Sequence, residues 1–284
     1  MKILVTGVNG QLGYELVKEL NNKGYTDILA VDKDEMDITN KDMVNKVIKN
    51  YHPDVIFHCA AWTAVDKAED EKEACYNVNV NGTKYISEAA KEIDAKLIYI
   101  STDYVFDGTK EGLYEINDEV NPKSVYGMTK YQGEKLVRQN NFKHFIVRIS
   151  WVFGVNGNNF IKTMLKLAET RNELTVVADQ FGSPTYTVDL AKLLVEMSET
   201  EKYGTYHINN EGYCNWAEFA EYIFKINNKN VNVKHITSEE YPQKAYRPRN
   251  SKLSKKSLDE NGFDRLPSWQ DAVERYSKEL KKVK

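Results

Sequence analysis

At 284 residues, with 29% charged side chains, a net charge of −3 and a mean hydropathy of −0.60, the chain has room for one large domain, or for a domain with a smaller lobe, and has the polarity of an ordinary soluble protein. No apolar run approaches the ~20 residues a membrane span needs, and no basic stripe suggests nucleic acid. Cys59, Cys75 and Cys214 show neither metal-ligand spacing nor a disulfide framework, so no metal is expected, and reduced thiols in a cytoplasm fit best.

The chain opens directly on Lys2-Ile3-Leu4-Val5, a first strand, where a signal peptide would need a longer apolar stretch. Ile3-Leu4-Val5 has the pattern of a strand buried on both faces. Gly7-Val8-Asn9-Gly10-Gln11-Leu12-Gly13 follows, and then the helical pattern of Leu12, Leu16, Val17 and Leu20. Strand, glycine turn and helix together make a dinucleotide phosphate site. Gly7 allows the tight turn, Gly10 the approach of a pyrophosphate, and Gly13 close helix–strand packing. The helix N-terminus presents free N–H groups to the phosphates. The spacing is GxxGxxG, looser than GxGxxG.

Ile28-Leu29-Ala30-Val31 is a second strand closed by Asp32, placed to bond the adenosine ribose, which favours NAD(H). Lys33 beside it could receive a 2′-phosphate, so NADPH and NADH both stay open, and Asp32 could also be a plain polar strand end. Asp37-Ile38 is placed to reach the adenine. Val44, Val47 and Ile48 mark a helix, and Val55-Ile56-Phe57-His58 a third strand, with His58 read as packed. The small residues after it, through Ala61-Trp62-Thr63, let the backbone pass close to a dinucleotide. Residues 66–93 read as one long helix interrupted near 77–83, whose asparagines either bond loop backbones beneath the cofactor or are plain polar positions.

Leu97-Ile98-Tyr99-Ile100 is a fourth strand ending in Ser101-Thr102-Asp103, where ligands bind in open α/β sheets. The loop 104–125 is long enough to be functional. A helix over 126–139 carries Tyr126-Gly127-Met128-Thr129-Lys130, whose tyrosine and lysine share a face at i,i+4. One ammonium about 4 Å away at an effective dielectric of ~20 supplies the roughly 4 kcal/mol needed to lower a phenol's pKa by about three units. In a chain with 18 tyrosines the spacing alone is equally explained by a packed tyrosine beside an exposed lysine.

Phe145-Ile146-Val147 is a fifth strand, so residues 1–150 read as a Rossmann-type, doubly wound parallel α/β sheet. Residues 151–284 read as mainly a smaller mixed α/β substrate lobe, with later segments free to return to the sheet. Helices are expected over 158–170, 187–198 and 216–227, and strands at 174–177 and 206–208. In the basic loop Tyr246-Arg247-Pro248-Arg249-Asn250-Ser251, Arg247 and Arg249 are candidates for the phosphates of a nucleotide substrate, with solvated arginines as the plain alternative. Asn250 is counted with Arg247 on the substrate side.

Several stretches carry a resemblance. Val5-Thr6-Gly7-Val8-Asn9-Gly10-Gln11-Leu12-Gly13 resembles extended short-chain dehydrogenase/reductases. Ala60-Ala61-Trp62-Thr63-Ala64-Val65-Asp66-Lys67-Ala68-Glu69, Ser101-Thr102-Asp103-Tyr104-Val105-Phe106-Asp107-Gly108, Tyr126-Gly127-Met128-Thr129-Lys130, Arg148-Ile149-Ser150-Trp151-Val152-Phe153, Gly157-Asn158-Asn159-Phe160, Asp179-Gln180-Phe181-Gly182-Ser183-Pro184-Thr185 and Arg247-Pro248-Arg249-Asn250-Ser251 resemble the dTDP-4-dehydrorhamnose reductase family more narrowly. The resemblance spans nearly the whole chain.

It implies transfer of a hydride from NADPH or NADH to the C4 ketone of dTDP-4-dehydro-L-rhamnose. Tyr126 would give the proton, Lys130 would hold the nicotinamide ribose and lower the tyrosine's pKa, and Thr102 would hydrogen-bond the carbonyl oxygen. Asp103 and Trp151 match substrate contacts. Gly10, Gln11, Leu12, Asp32, Asp37, Ile38, Ala61, Trp62 and Thr63 match cofactor contacts. A monomer or homodimer is expected. Some members dimerise through magnesium held by glutamates; Glu15 matches one such position, but its counterpart reads as Val188 with Asp189 beside it, so no metal link is assumed. The alternatives are another deoxysugar-nucleotide epimerase or dehydratase on this fold, and a non-catalytic dinucleotide-binding subunit resembling the regulatory subunit of methionine adenosyltransferase.

Overall fold

The computed structural model describes residues 1–283. The first half alternates strands and helices: β1 (Ile3–Thr6), α1 (Gln11–Asn22), β2 (Ile28–Val31), α2 (Lys41–Tyr51), β3 (Val55–His58), α3 (Val65–Ala68), α4 (Lys72–Tyr76), α5 (Thr83–Glu92), β4 (Lys96–Thr102), α6 (Val125–Asn140) and β5 (His144–Ile149). β1, β3 and most of β4 and β5 are buried, as continuous apolar runs require between two helical layers. All strands of the main sheet pair in parallel, in the order Gly204–His207, β5, β4, β3, β1, β2. This is the doubly wound α/β sheet expected from the strand–helix alternation.

From β1 the chain winds one way to β2, then crosses back to β3. That reversal opens a crevice at the carboxyl ends of β1 and β3, where open α/β sheets bind ligands. On one face, Leu12, Leu16 and Leu20 of α1 pack with Leu190 and Leu194 of α8 (Thr187–Ser198) over Val5, Phe57 and Val147. On the other, Val44 and Ile48 of α2, Ile86 of α5 and Val137 of α6 cover Leu4, Ile56 and Tyr99.

The helix expected over 66–93 with an interruption near 77–83 has that interruption and one further break. It stops after α3, and between α4 and α5 it widens into a π-helix over Asn77–Gly82. Such π segments often re-aim side chains at functional sites. The second half contributes α7 (Phe160–Leu167), α8 and α9 (Trp216–Ile226), with a parallel pair formed by Glu173–Val177 and Asn232–Ile236. A separate core of Phe153, Tyr186, Phe219 and Tyr276 holds these pieces. Residues 187–207 nevertheless lie on the main sheet, because α8 packs on α1 and Gly204–His207 extends the sheet beyond β5.

Candidate active site

A cleft of about 990 Å³ runs along the carboxyl ends of the strands. The glycine turn forms one end of it. Gly7 has φ +70° and lies so close to β3's exit that a Cβ would sit 2.7 Å from the Ala60 nitrogen; at Gly13 a Cβ would meet the Gly7 carbonyl at 2.3 Å. Only glycine fits either place, which leaves the N-terminus of α1 open towards the cleft. Asp32 lines it too, but its carboxylate already accepts from the Asn9 and Lys33 nitrogens at 2.9 and 2.8 Å, so it also braces the turn. Gly10, Leu12, Asp37, Ile38, Ala61, Trp62 and Thr63 line the same cleft.

Gln11 does more than the sequence suggests. Its side-chain oxygen accepts from the Gly154 nitrogen at 2.9 Å and the Asn159 amide at 3.1 Å, tying the glycine turn to the segment that enters the second lobe. Among the asparagines of the π segment, Asn79 bonds a loop backbone: it accepts from the Trp62 nitrogen at 2.8 Å and donates to the Trp62 carbonyl at 3.2 Å. Asn77 and Asn81 bond each other. His58 is a packed residue, shared between the Thr6 and Thr83 hydroxyls and held neutral by burial, which pushes its pKa down to about 3.

The catalytic candidates Thr102, Tyr126 and Lys130 line the same cleft. Ser124 caps α6 by accepting from the Gly127 nitrogen at 3.1 Å, which fixes where Tyr126 begins its turn. Gly127 lets the helix lie directly on the turn after Thr102, since a Cβ there would stand 2.2 Å from the Tyr104 carbonyl. Tyr104 and Tyr126 then meet edge to face at 5.5 Å. Lys130 is buried, with its ammonium over the Tyr99 ring, 4.1 Å from the centroid. Burial pulls its pKa down to about 7, against the opposing pull of Glu134.

The expected lowering of the Tyr126 pKa is not met in this structure. Burial is the largest influence and raises it, the Thr102 hydroxyl pulls the other way, and the Asp103 charge adds to the rise. Loss of water around the phenolate outweighs the help of its neighbours. Tyr126 is thus a neutral phenol that holds its proton until a stronger base appears beside it. The Thr102 hydroxyl donates to Asp103 at 3.0 Å and accepts from the Tyr104 nitrogen at 3.2 Å. Asp103 also accepts from Ser251 at 2.5 Å, and burial raises its pKa to about 6.

A family model described as the RmlD substrate binding domain matches residues 1–282. A dTDP-4-dehydrorhamnose reductase from Aggregatibacter actinomycetemcomitans is 44% identical over 285 residues, covering 96% of this chain and 97% of that protein. The chain belongs to the dTDP-4-dehydrorhamnose reductase family. Among solved structures, a family member from Clostridium acetobutylicum is similar with a TM-score of 0.97 and 43% identity, covering 99% of this chain and 100% of that one. Another from Bacillus anthracis, in complex with NADP, gives 0.95 and 45%, covering 98% and 100%.

In this member of the reductase family, Trp151 lines the cleft with φ +50°, an unusual conformation for a bulky side chain. It is held there from both sides. The Thr185 nitrogen donates to its carbonyl at 3.1 Å, and its ring stacks on Trp216 with centroids 3.6 Å apart. Trp216, the first residue of α9, also lines the cleft and was missed in the sequence, where an aromatic residue opening an apolar helix reads as core.

Arg247 and Asn250 do not line the cleft. Arg247 donates to Asp66 at 2.6 Å, and Asn250 donates to the Lys110 and Gly112 carbonyls at 2.7 Å each. Both tie loops together, while Arg249 pairs at the surface with Glu239. The residue of that loop that does reach the site is Ser251, through Asp103. Glu15 pairs with Lys18 at 2.7 Å, and Asp189, beside the Val188 that stands at the counterpart position, pairs with Arg275 at 2.7 Å.

Proposed function

We propose that the protein reduces the C4 ketone of dTDP-4-dehydro-L-rhamnose to dTDP-L-rhamnose, with NADPH or NADH as reductant. The observation that carries this reading is the convergence of Thr102, Tyr126 and Lys130 in one cleft with the glycine turn and Asp32. The crowding at Gly7 and Gly13 fits a dinucleotide, because it clears the backbone exactly where a pyrophosphate would meet the first turn of α1. The volume suits a cofactor with a second ligand beside it, at the upper end of the ~300–1,000 Å³ typical of ligand sites.

Gly10, Gln11 and Leu12 would hold the pyrophosphate, Asp32 or Lys33 the adenosine ribose, Asp37 and Ile38 the adenine, and Ala61, Trp62 and Thr63 the chain between. Lys130 would hold the nicotinamide ribose. When bound, the nicotinamide supplies the hydride. As negative charge grows on the ketone oxygen, Thr102 turns its hydroxyl from Asp103 to that oxygen, a donor aimed at developing charge. Tyr126 gives up its proton to the same oxygen, completing the alcohol. The raised phenol pKa suits this direction, since the acid must remain protonated until an alkoxide-like oxygen forms. Trp151 and Trp216 offer a flat apolar wall for a deoxysugar ring, and Asp103 a polar contact for its hydroxyls. A cytoplasmic setting agrees with three unpaired cysteines, and among the described residues no helix is long and apolar enough to cross a membrane.

The test is turnover. With dTDP-4-dehydrorhamnose and either cofactor, one equivalent of NAD(P)H is oxidised per dTDP-L-rhamnose formed, the product being identified by NMR. No oxidation with either cofactor, at any pH from 6 to 9, sinks the proposal.

A further inference from the structure

Beneath the cleft lies a buried ionic cluster with no part in the chemistry above. Glu134 sits one turn beyond Lys130 on α6 and is fully buried. Its Oε1 accepts from the Ser101 hydroxyl at 2.6 Å and from Arg148 Nε at 2.8 Å. Its Oε2 accepts from Arg148 Nη2 at 2.8 Å and from Arg138 at 2.9 Å. Arg148, on β5, is itself 1% exposed. It spends its remaining nitrogen on the Ile116 carbonyl at 3.2 Å and on His207 at 3.4 Å, and its guanidinium lies over Phe106.

An ion pair at this depth is weak evidence of stability, because desolvating both charges offsets most of their attraction. Its geometry offers something else. Tyr126, Lys130 and Glu134 recur at i,i+4, so they rise along α6 as neighbouring rungs. Ser101 is the residue before Thr102 at the end of β4. One carboxylate therefore grips the helix that carries Tyr126 and Lys130 and the strand end that carries Thr102. It also supplies the negative charge facing the Lys130 ammonium from its own helix.

We propose that Glu134 is a positioning residue for the reduction: its bonds to Ser101 and Arg148 set the Tyr126–Lys130 face of α6 against Thr102, and its carboxylate stands one helical turn from the Lys130 ammonium as its counter-charge. The claim of a rate effect rests on the reductase reading; the claim about Lys130 does not. The other titratable or charged groups facing this pair are His58 on β3, Cys59 after it, Cys75 on α4, Tyr99 on β4, Tyr126 and Arg138 on α6, Arg148 on β5 and His207 on the sheet's edge strand. Both arginines already engage Glu134, and burial pushes both histidines to about 3 and Cys59 up to about 12. Glu134 is left as the one carboxylate that raises the lysine.

Three variants test this: Glu134→Gln, the paired Glu134→Gln/Arg148→Met, which removes both charges and keeps the volume, and Ser101→Ala. In the cofactor-free protein, NMR of ¹³C-labelled lysine follows the Lys130 titration. Its midpoint moves to lower pH in Glu134→Gln and in the paired variant, and stays in place in Ser101→Ala. In turnover, misplacing Thr102 against Tyr126 by a fraction of an ångström lowers kcat by about 10- to 100-fold, with KM within about threefold, in both Glu134 variants, and by a smaller factor in Ser101→Ala. The alkaline limb of the kcat profile moves down with the NMR midpoint.

A folded Glu134→Gln or paired variant with wild-type kcat and an unmoved Lys130 midpoint overturns the proposal. So does a loss of kcat with an unshifted pH profile, since a structural defect alone would do that. If Glu134→Gln does not fold, the paired variant decides by the same two readouts. Wild-type protein that is inert on the keto-sugar counts against the functional reading alone, because the NMR titration needs no substrate.

Discussion

Replacing Lys130 by methionine separates what this side chain does for the fold from what it does for the reaction. Its pKa falls from 10.5 to about 7 on burial. At ~1.4 kcal/mol per unit, that is roughly 5 kcal/mol against the charged form. The ammonium lies 4.1 Å from the Tyr99 centroid. That contact is already part of the balance that sets the shift, so the net cost of the charged form stays at about 5 kcal/mol. An unfolded lysine keeps its proton up to pH ~10.4, whereas the folded one releases it near 7, so between those values the unfolded chain binds more protons and wild-type stability rises with pH. Below pH 7 both states are protonated and the full cost stands. Lys130→Met carries no such charge. It should be about 5 kcal/mol more stable than wild type at pH 6, a gain of about 1.5–2 M in urea midpoint for a slope near ~3 kcal/mol/M, with the advantage vanishing towards pH 10. Activity should be lost throughout. Urea titrations of the cofactor-free proteins at pH 6, 8 and 10 measure this. A variant no more stable than wild type at pH 6, or a difference that does not change with pH, refutes the reasoning.

Tyr126→Phe should leave KM within about threefold and lower kcat by ~10²–10⁴-fold, the range for losing a general acid; stopped-flow of NADPH oxidation reads it, and equal turnover would remove Tyr126 from the chemistry. Asp103 has a pKa raised to about 6 by burial, so its contribution to stability is present at pH 4 and lost as pH rises through 6. Asp103→Asn should remove that loss, making the variant about 1–3 kcal/mol more stable relative to wild type at pH 8 than at pH 4.5 in thermal or urea unfolding, while still reaching Ser251 and Thr102. Asp32→Ala deletes a charge beside the expected ribose site and an acceptor for Asn9, so affinity for both cofactors should weaken. The ratio of kcat/KM for NADPH over NADH should nevertheless rise about tenfold or more, because a 2′-phosphate no longer meets a carboxylate. An unchanged ratio would place the ribose elsewhere.

How much of this was legible depended on how far each feature reaches along the chain. The glycine turn, the buried strands and the i,i+4 pair are local patterns, and the structure places each within a residue or two of its expected position. The edge strand Gly204–His207 pairs with β5 some 60 residues earlier, and nothing in its short pattern distinguishes that partner from another. The interruption at 77–83 was legible, because Asn, Val and Gly are poor helix formers, but its form was not: the turn widens into a π-helix in which Asn79 bonds both polar groups of Trp62.

The site failed to be legible where burial decides. Spacing put Tyr126 and Lys130 on one face of α6, and both line the cleft, but the phenol's shift is upward, because Tyr104 and the Thr102 turn close over it, which Gly127 permits and no spacing rule predicts. Arginine chemistry pointed to phosphate at Arg247, yet Asp66, distant in sequence, takes its guanidinium. The arginine that matters most to the site is Arg148, which in sequence is one charge inside an apolar strand. A charge there must have a buried partner, and its carboxylate, Glu134, stands one turn past Lys130. A lone arginine in an otherwise apolar strand beneath an active-site helix is therefore a signal to look for its acid on that helix, and in this chain it leads from β5 to Glu134 and from Glu134 to Lys130.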